Sequence, residues 1–252
     1  MLALLNICAA SWSQTLYSEN FDSGTPGQSL SAAPFNWTMY NGDLRIGHAP
    51  HGWTGNSIVG SLGPAGEQSS GFIGFSATPN KVITLSADVF VSDQFTGNAL
   101  GLIDLPSGVP GYPGTGSIDI SDNGTAFWEL IYSTGPQDFD TWYAPSGRFI
   151  NEAVHLTLSG DETTGGFWCS LTDSVGTVTS PTFIDPNAVL FNYLQVNSDL
   201  RYGGTHGLDA DNLLIQASPS AVPEPCTTAI GFLAVVSLGQ RRRCQDPRSS
   251  SG

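Results

Sequence analysis

Asp209-Ala210-Asp211-Asn212 puts three oxygen-bearing side chains into four residues, a ligand set suited to a hard cation such as Ca2+. We take Asp209, Asp211 and Asn212 as the candidate metal residues. His48-Ala49-Pro50-His51 brings two imidazoles together, but Pro50 blocks a helical turn and no third ligand stands near for Zn2+, so the pair reads as a loop. Flat aromatic faces are more numerous. The C–H face of a sugar stacks on such rings at low entropic cost. Trp142-Tyr143 follows Asp138-Phe139-Asp140, and Tyr112 tips a Pro/Gly loop. With Trp53, these residues fall in expected loops and are the candidates for glycan contact. Trp128 and Trp168 belong to the same group of rings, whose plainer role is to close the ends of a core. No Ser-His-Asp order stands out, and the Gly-rich run Gly101–Gly116 carries three prolines and precedes no helix. A phosphate cradle is therefore excluded. The expectation is a non-enzymatic protein with no catalytic residue.

Charge narrows the partners. Between Gln14 and Ser220 there are twenty acidic side chains and four basic ones, Arg45, Lys81, Arg148 and Arg201, a net charge of −16. Such a surface opposes nucleic acid and anionic lipid headgroups and accepts cations. Cys169 is alone in this stretch, so no disulfide can form within it. Cys226 and Cys244 flank an apolar run and would stand about 27 Å apart on a helix, too far to bridge. The body must be held by its core.

The elements that must position these residues are strands. Glycine and proline supply 46 of 252 residues, too many for long helices. Lys81–Asp93 sets Ile83, Leu85, Ala87, Val89 and Val91 against Thr84, Ser86 and Asp88. Glu152–Asp161 and Asn212–Ser218 alternate in the same way. Period two with one polar face marks antiparallel strands packed on one side. Similar runs fall near 16–21, 37–40, 44–46, 57–62, 71–77, 100–105, 117–121, 127–133, 166–173 and 189–197, separated by turn residues such as Ser121-Asp122-Asn123-Gly124. The expected fold is all-β, two antiparallel sheets packed face to face.

An opening Glu19-Asn20-Phe21-Asp22 and a closing Asp209-Ala210-Asp211-Asn212-Leu213-Leu214-Ile215 frame this order. Over residues 15–217 the chain resembles the concanavalin-like jelly roll, which includes laminin-G-like and legume-lectin-like domains; a carbohydrate-binding-module jelly roll is the alternative. The resemblance implies that the first and last strands pair. Enzymes of that fold include β-glucanases whose catalytic strand reads Glu-x-Asp-x-x-Glu. Ser117-Ile118-Asp119-Ile120-Ser121-Asp122 has that spacing and the middle Asp, but Ser117 stands where the nucleophilic carboxylate belongs. Serine cannot form the glycosyl ester of a retaining hydrolase. A degenerate glycoside hydrolase is the alternative function.

Val222-Pro223-Glu224-Pro225 is followed by a nearly uncharged run, Cys226 to Gly239, and then Arg241-Arg242-Arg243. The prolines stiffen a spacer, the run seeks a membrane, and the arginines resist crossing it. Fourteen residues diluted by Thr227, Thr228 and Ser237 fall short of the roughly twenty that span a bilayer, which suits transient insertion. The order of the three parts resembles the PEP-CTERM sorting signal. That resemblance implies recognition by an exosortase-type membrane protease, and a place in the cell envelope or extracellular matrix. At the other end, Met1–Ala10 is an apolar run of signal-peptide length, with Ser11 and Ser13 spaced for cleavage before Gln14. The expected organisation is thus a signal peptide at 1–13, a β-sandwich at 14–220, a sorting tail with a short hydrophobic helix at 221–243 and a polar end at 244–252. The expected role is structural or adhesive, with extracellular polysaccharide and Ca2+ as candidate ligands.

Overall fold

Alternation along the chain decides which side chains meet in the interior. The computed structural model describes residues 12–62, 68–76, 79–91, 98–104, 117–122, 128–133, 138–145, 148–149, 151–184, 191–199 and 207–220. In chain order its strands are β1 (Gln14–Glu19), β2 (Thr38–Asn41), β3 (Ile46–His48), β4 (Asn56–Ile58), β5 (Gln68–Gly74), β6 (Lys81–Val91), β7 (Ala99–Ile103) and β8 (Ser117–Asp122). They continue with β9 (Trp128–Ser133), β10 (Asp138–Tyr143), β11 (Ala153–Asp161), β12 (Gly166–Thr172), β13 (Thr177–Thr179), β14 (Phe183–Ile184), β15 (Tyr193–Asp199) and β16 (Leu208–Pro219). The only helical element among the described residues is a single 3-10 turn, Gly60–Leu62.

Nine strands form one sheet in the order β13-β12-β11-β6-β16-β4-β3, with β1 added on β16 and β14 on β12. Seven form the other, β10-β9-β8-β7-β15-β5-β2. The pairings are antiparallel throughout. β11 lies across from β8 and β16 across from β15, which stacks the sheets. Ile83, Leu85, Ala87, Val89 and Val91 of β6 are fully buried, facing a layer that includes Leu100, Leu102, Leu130, Leu194 and Val196. One lateral side is closed by the segment between β1 and β3, whose Phe21, Leu30, Phe35, Trp37 and Leu44 enter the same core.

Strand β16 changes neighbours halfway. Ala210 pairs with Ile58 of β4, whereas Leu213 to Ala217 pair with β1. A register shift between Asp211 and Leu214 on its other side, against β6, marks a β-bulge there. Asn212 sits in the bulge at φ 51°, the left-handed region that asparagine tolerates better than most residues. At the start of β16 the turn at Gly60 comes close. A Cβ on Gly60 would meet the backbone of Gly207 and Leu208 at 2.6 Å, so only glycine fits.

The expected strands are present with shifted ends. The run near 57–62 stops at Ile58 and turns into the 3-10 turn. The run near 71–77 begins earlier, at Gln68, and the closing strand begins at Leu208, upstream of Asn212. β13 and β14 were not expected, and Trp142 and Tyr143 lie on β10, a strand, where a loop was expected. β10 carries its own register shift between Asp140 and Trp142, which breaks the alternation that would reveal it. The body ends at Ser220, and Ala221–Gly252 forms a separate unit. That tail, with the expected hydrophobic helix, and residues 1–11 of the expected signal peptide lie outside the described residues. Among the described residues no helix is long and apolar enough to cross a membrane.

With no disulfide in the described body, its stability rests on the core. Trp128 is the largest fully buried side chain, and its indole N–H donates to the Phe149 carbonyl at 3.0 Å. Trp128→Ala should cost about 3–5 kcal/mol, seen as a lower urea midpoint at an unchanged slope.

Candidate functional site

The outer face of the nine-stranded sheet gathers the chemistry. Because β6 alternates, Ser86, Asp88 and Phe90 point away from the core while Leu85, Ala87 and Val89 fill it. On β11 the register sets His155 opposite Asp88 and Thr157 opposite Ser86. His155 Nδ1 lies 2.7 Å from Asp88 Oδ1, and His155 Nε2 lies 3.1 Å from Ser86 Oγ. Asp88 also accepts from the Asn212 side-chain amide at 2.8 Å, because the bulge in β16 turns that residue outward.

The proton positions follow from these contacts. An ionised carboxylate only accepts, so Nδ1 carries the hydrogen that it shares with Asp88. In the neutral ring Nε2 is then the acceptor for the Ser86 hydroxyl. The hydrogen bond from His155, aided by the Asn212 amide and opposed by burial, holds Asp88 below the usual carboxylate range. The same bond to Asp88 raises His155, against partial burial. Next to this pair, on β16, Asp211 stands opposite Asp88 and is almost wholly buried. Burial first, then the like charges of Asp88 and Asp22, push its pKa up to about 6, against the N–H of Asn212 that lowers it.

A second cluster forms where the loop after β3 folds over Phe90. The His51 ring stacks on Phe90 with centroids 3.4 Å apart, and Trp53 meets His51 edge-on. His51 Nε2 lies 2.8 Å from Asp209 Oδ2, while Asp209 Oδ1 accepts from the Gly60 N–H at 2.8 Å. Asp209 thus ties loop and turn to the sheet.

The residues singled out from the sequence are dispersed. Trp53 sits on the His51 loop over Phe90 of β6, on the outer face of the nine-stranded sheet, whereas Trp142 and Tyr143 sit on β10, an edge strand of the other sheet. Trp142 packs partly against the core, and Tyr143 is 48% exposed. Tyr112 lies outside the described residues, as do Val222, Pro223, Glu224, Pro225, Arg241, Arg242 and Arg243. Trp128 is core. Ser117–Asp122 forms β8, an inner strand of the seven-stranded sheet.

Asp209, Asp211 and Asn212 share β16 but not a focus. Asp209 is committed to His51 and Gly60, and Asn212 directs its amide to Asp88. Among the described residues no group of three or more His, Cys, Asp or Glu side chains is placed to hold a metal ion. His48 is exposed at the end of β3, apart from the contacts that His51 makes. Cys169 is fully buried, with its thiol pushed up to about 12 by burial, which keeps it unreactive.

The outer face of the seven-stranded sheet is polar too. Asn197 accepts from Gln68 and from Ser70, each at 2.8 Å, and Phe72 meets Tyr193 edge-on. Beside them is a cavity of about 710 Å³, lined by Gln14, Thr15, Gly74, Phe75, Asn192 and Tyr193 among others.

No protein-family model matches this chain, and no curated protein matches it. Solved structures do resemble it. Peanut lectin shares 12% identity at a TM-score of 0.52, covering 83% of this chain and 98% of the lectin. The CBM2 module of the evolved Dit protein of Lactobacillus casei phage J-1 shares 10% at 0.51, covering 83% of this chain and 98% of the module. A protein of unknown function from Shewanella oneidensis shares 13% at 0.51, covering 85% of this chain and 90% of that one. At such identities the likeness is one of fold. The fold is a lectin-like antiparallel β-sandwich.

The Asp211 environment makes a prediction. Its folded pKa of about 6 lies above the ordinary 3.8, so folding takes up a proton between those values and stability falls as pH rises through them. Asp211→Asn keeps an oxygen for the Asn212 N–H and removes the charge. The variant should be more stable by about 3 kcal/mol at neutral pH, with the difference vanishing below about pH 4, in denaturant titrations at the two pH values.

Proposed function

We propose that this is a secreted, glycan-binding β-sandwich of the bacterial cell envelope or extracellular matrix, structural or adhesive in role, which does not cleave glycosidic bonds. The observation that carries the reading is the lectin-like sandwich with the exposed ring of Tyr143 and the half-buried Gln68–Asn197 amide pair on its surfaces. The strongly acidic body supports an uncharged or cation-bridged polysaccharide as partner and opposes nucleic acid. Ser117 in place of a carboxylate supports binding without glycosidic cleavage. Ca2+ is not required by this reading.

Export would proceed through the PEP-CTERM-like tail. Val222–Pro225 forms the spacer, Cys226–Gly239 inserts transiently, Arg241–Arg243 stay on the cytoplasmic side, and an exosortase-type protease removes the segment. Intact-mass analysis of the extracellular protein should find the chain ending upstream of the arginines. A full-length cytosolic species would sink the sorting proposal and leave the binding proposal standing.

Binding is tested on a glycan array with and without Ca2+. The expected result is retention of a polysaccharide with no release of reducing ends. Tyr143→Ala, at a side chain 48% exposed, should weaken retention roughly fivefold or more, with thermal unfolding confirming that the fold is kept. Release of reducing ends would favour the glycoside hydrolase. An array empty under both conditions would favour a matrix protein that binds no sugar.

A further inference from the structure

Ser86, His155, Asp88 and Asn212 form a chain of side chains that neither the sandwich nor glycan retention requires. A serine hydroxyl faces one ring nitrogen, a carboxylate faces the other, and an amide holds the far carboxylate oxygen. That is the order of nucleophile, base and orienting acid that activates serine in acyl transfer. We propose that this array on the outer face of the nine-stranded sheet is an acyl-transfer site that hydrolyses esters of small acyl groups.

The geometry supports each role. Ser86 and Asp88 are two residues apart on β6, so both stand on one face, and the β6–β11 register brings His155 between them. The imidazole is 48% exposed and open to solvent, unlike a core histidine. The bulge that presents Asn212 to Asp88 is a local departure from regular pairing, and bulges of this kind re-aim side chains beside functional sites. The raised basicity of His155 suits a base working near neutral pH. A cavity of about 450 Å³ adjoins the array, lined by Ser18, Glu19, Asn20, Asn212, Leu213 and Leu214. Leu214 is the β16 partner of Ser86, so the cavity lies over β1 and β16, one strand from the serine, and meets the array at Asn212.

In the reaction Ser86 Oγ attacks the acyl carbon while its proton passes to His155 Nε2. The carbon–oxygen bond to the alcohol breaks, and the alcohol leaves with that proton. Water then attacks the acyl-serine, gives its proton to His155, and the bond to Oγ breaks. The carboxylic acid departs and Ser86 regains its hydrogen. Asp88 and Asn212 are positioning residues, since they act through the imidazole. The β6 backbone at Ser86 is paired on both sides, so the serine's own amide is engaged in the sheet and does not hold the developing oxyanion. Turnover is therefore slow and favours good leaving groups and small acyl groups, which fit an open sheet face.

The test uses the full chain with p-nitrophenyl acetate. Wild type should release p-nitrophenol above the buffer rate, and peptide mapping should place the acetyl group on Ser86. Ser86→Ala should lower the rate roughly tenfold or more, with thermal unfolding confirming that the fold is kept. Asp88→Asn should move the pH profile of the rate toward lower pH, a change that a purely structural role would not produce. Equal rates for wild type and Ser86→Ala, or an acetyl group only on other residues, would overturn the proposal. If Ser86→Ala does not fold, the adduct position on wild type decides the matter. Loss of glycan retention has no bearing on this result.

Discussion

β6 is committed on both of its faces, and the rest of the molecule depends on keeping them apart. Ile83, Leu85, Ala87, Val89 and Val91 fill the interior, while Ser86, Asp88 and Phe90 hold His155, Asn212 and His51 on the outside. A slip of one residue in pairing would transpose the two sets. It would bury a carboxylate and a hydroxyl and expose five apolar side chains, so the hydrophobic effect that builds the core also fixes the outer contacts to a single register.

Much of this frame was legible before any coordinates. The alternation in Lys81–Asp93 and Glu152–Asp161 corresponds to β6 and β11. β16 was legible only in its second half, and the bulge explains why. Upstream of it Asp209 and Asp211 share one phase; downstream Leu213, Ile215 and Ala217 keep the opposite relation to the core. Read backwards from Ala217, the period holds to Asn212 and fails at Asp211, a carboxylate where an apolar residue is due. β10 was hidden by its own register shift, and β13 and β14, at three and two residues, are too short to carry a period.

The outer constellation was not legible at all. Ser86 and Asp88 look like the polar half of an amphipathic strand, and His155 is a lone histidine on another. Only the register between β6 and β11 brings them together, and one sequence does not encode strand partners in any local pattern. Asp209 shows the converse. Its position beside Asp211 and Asn212 suggested a shared ligand, whereas the chain fold draws it to His51 and the turn at Gly60.

The borders of the two sheets have a consequence of their own. Among the described residues β13 and β3, with three residues each, the two-residue β14 and the six-residue β1, bent by a register shift between Thr15 and Tyr17, border one sheet; β2, with four, and the irregular β10 border the other. Rows of free amides and carbonyls this short, or this bent, make poor templates for a neighbouring molecule to extend. For a body built almost wholly of strands, borders of this kind oppose strand-by-strand addition of a second copy.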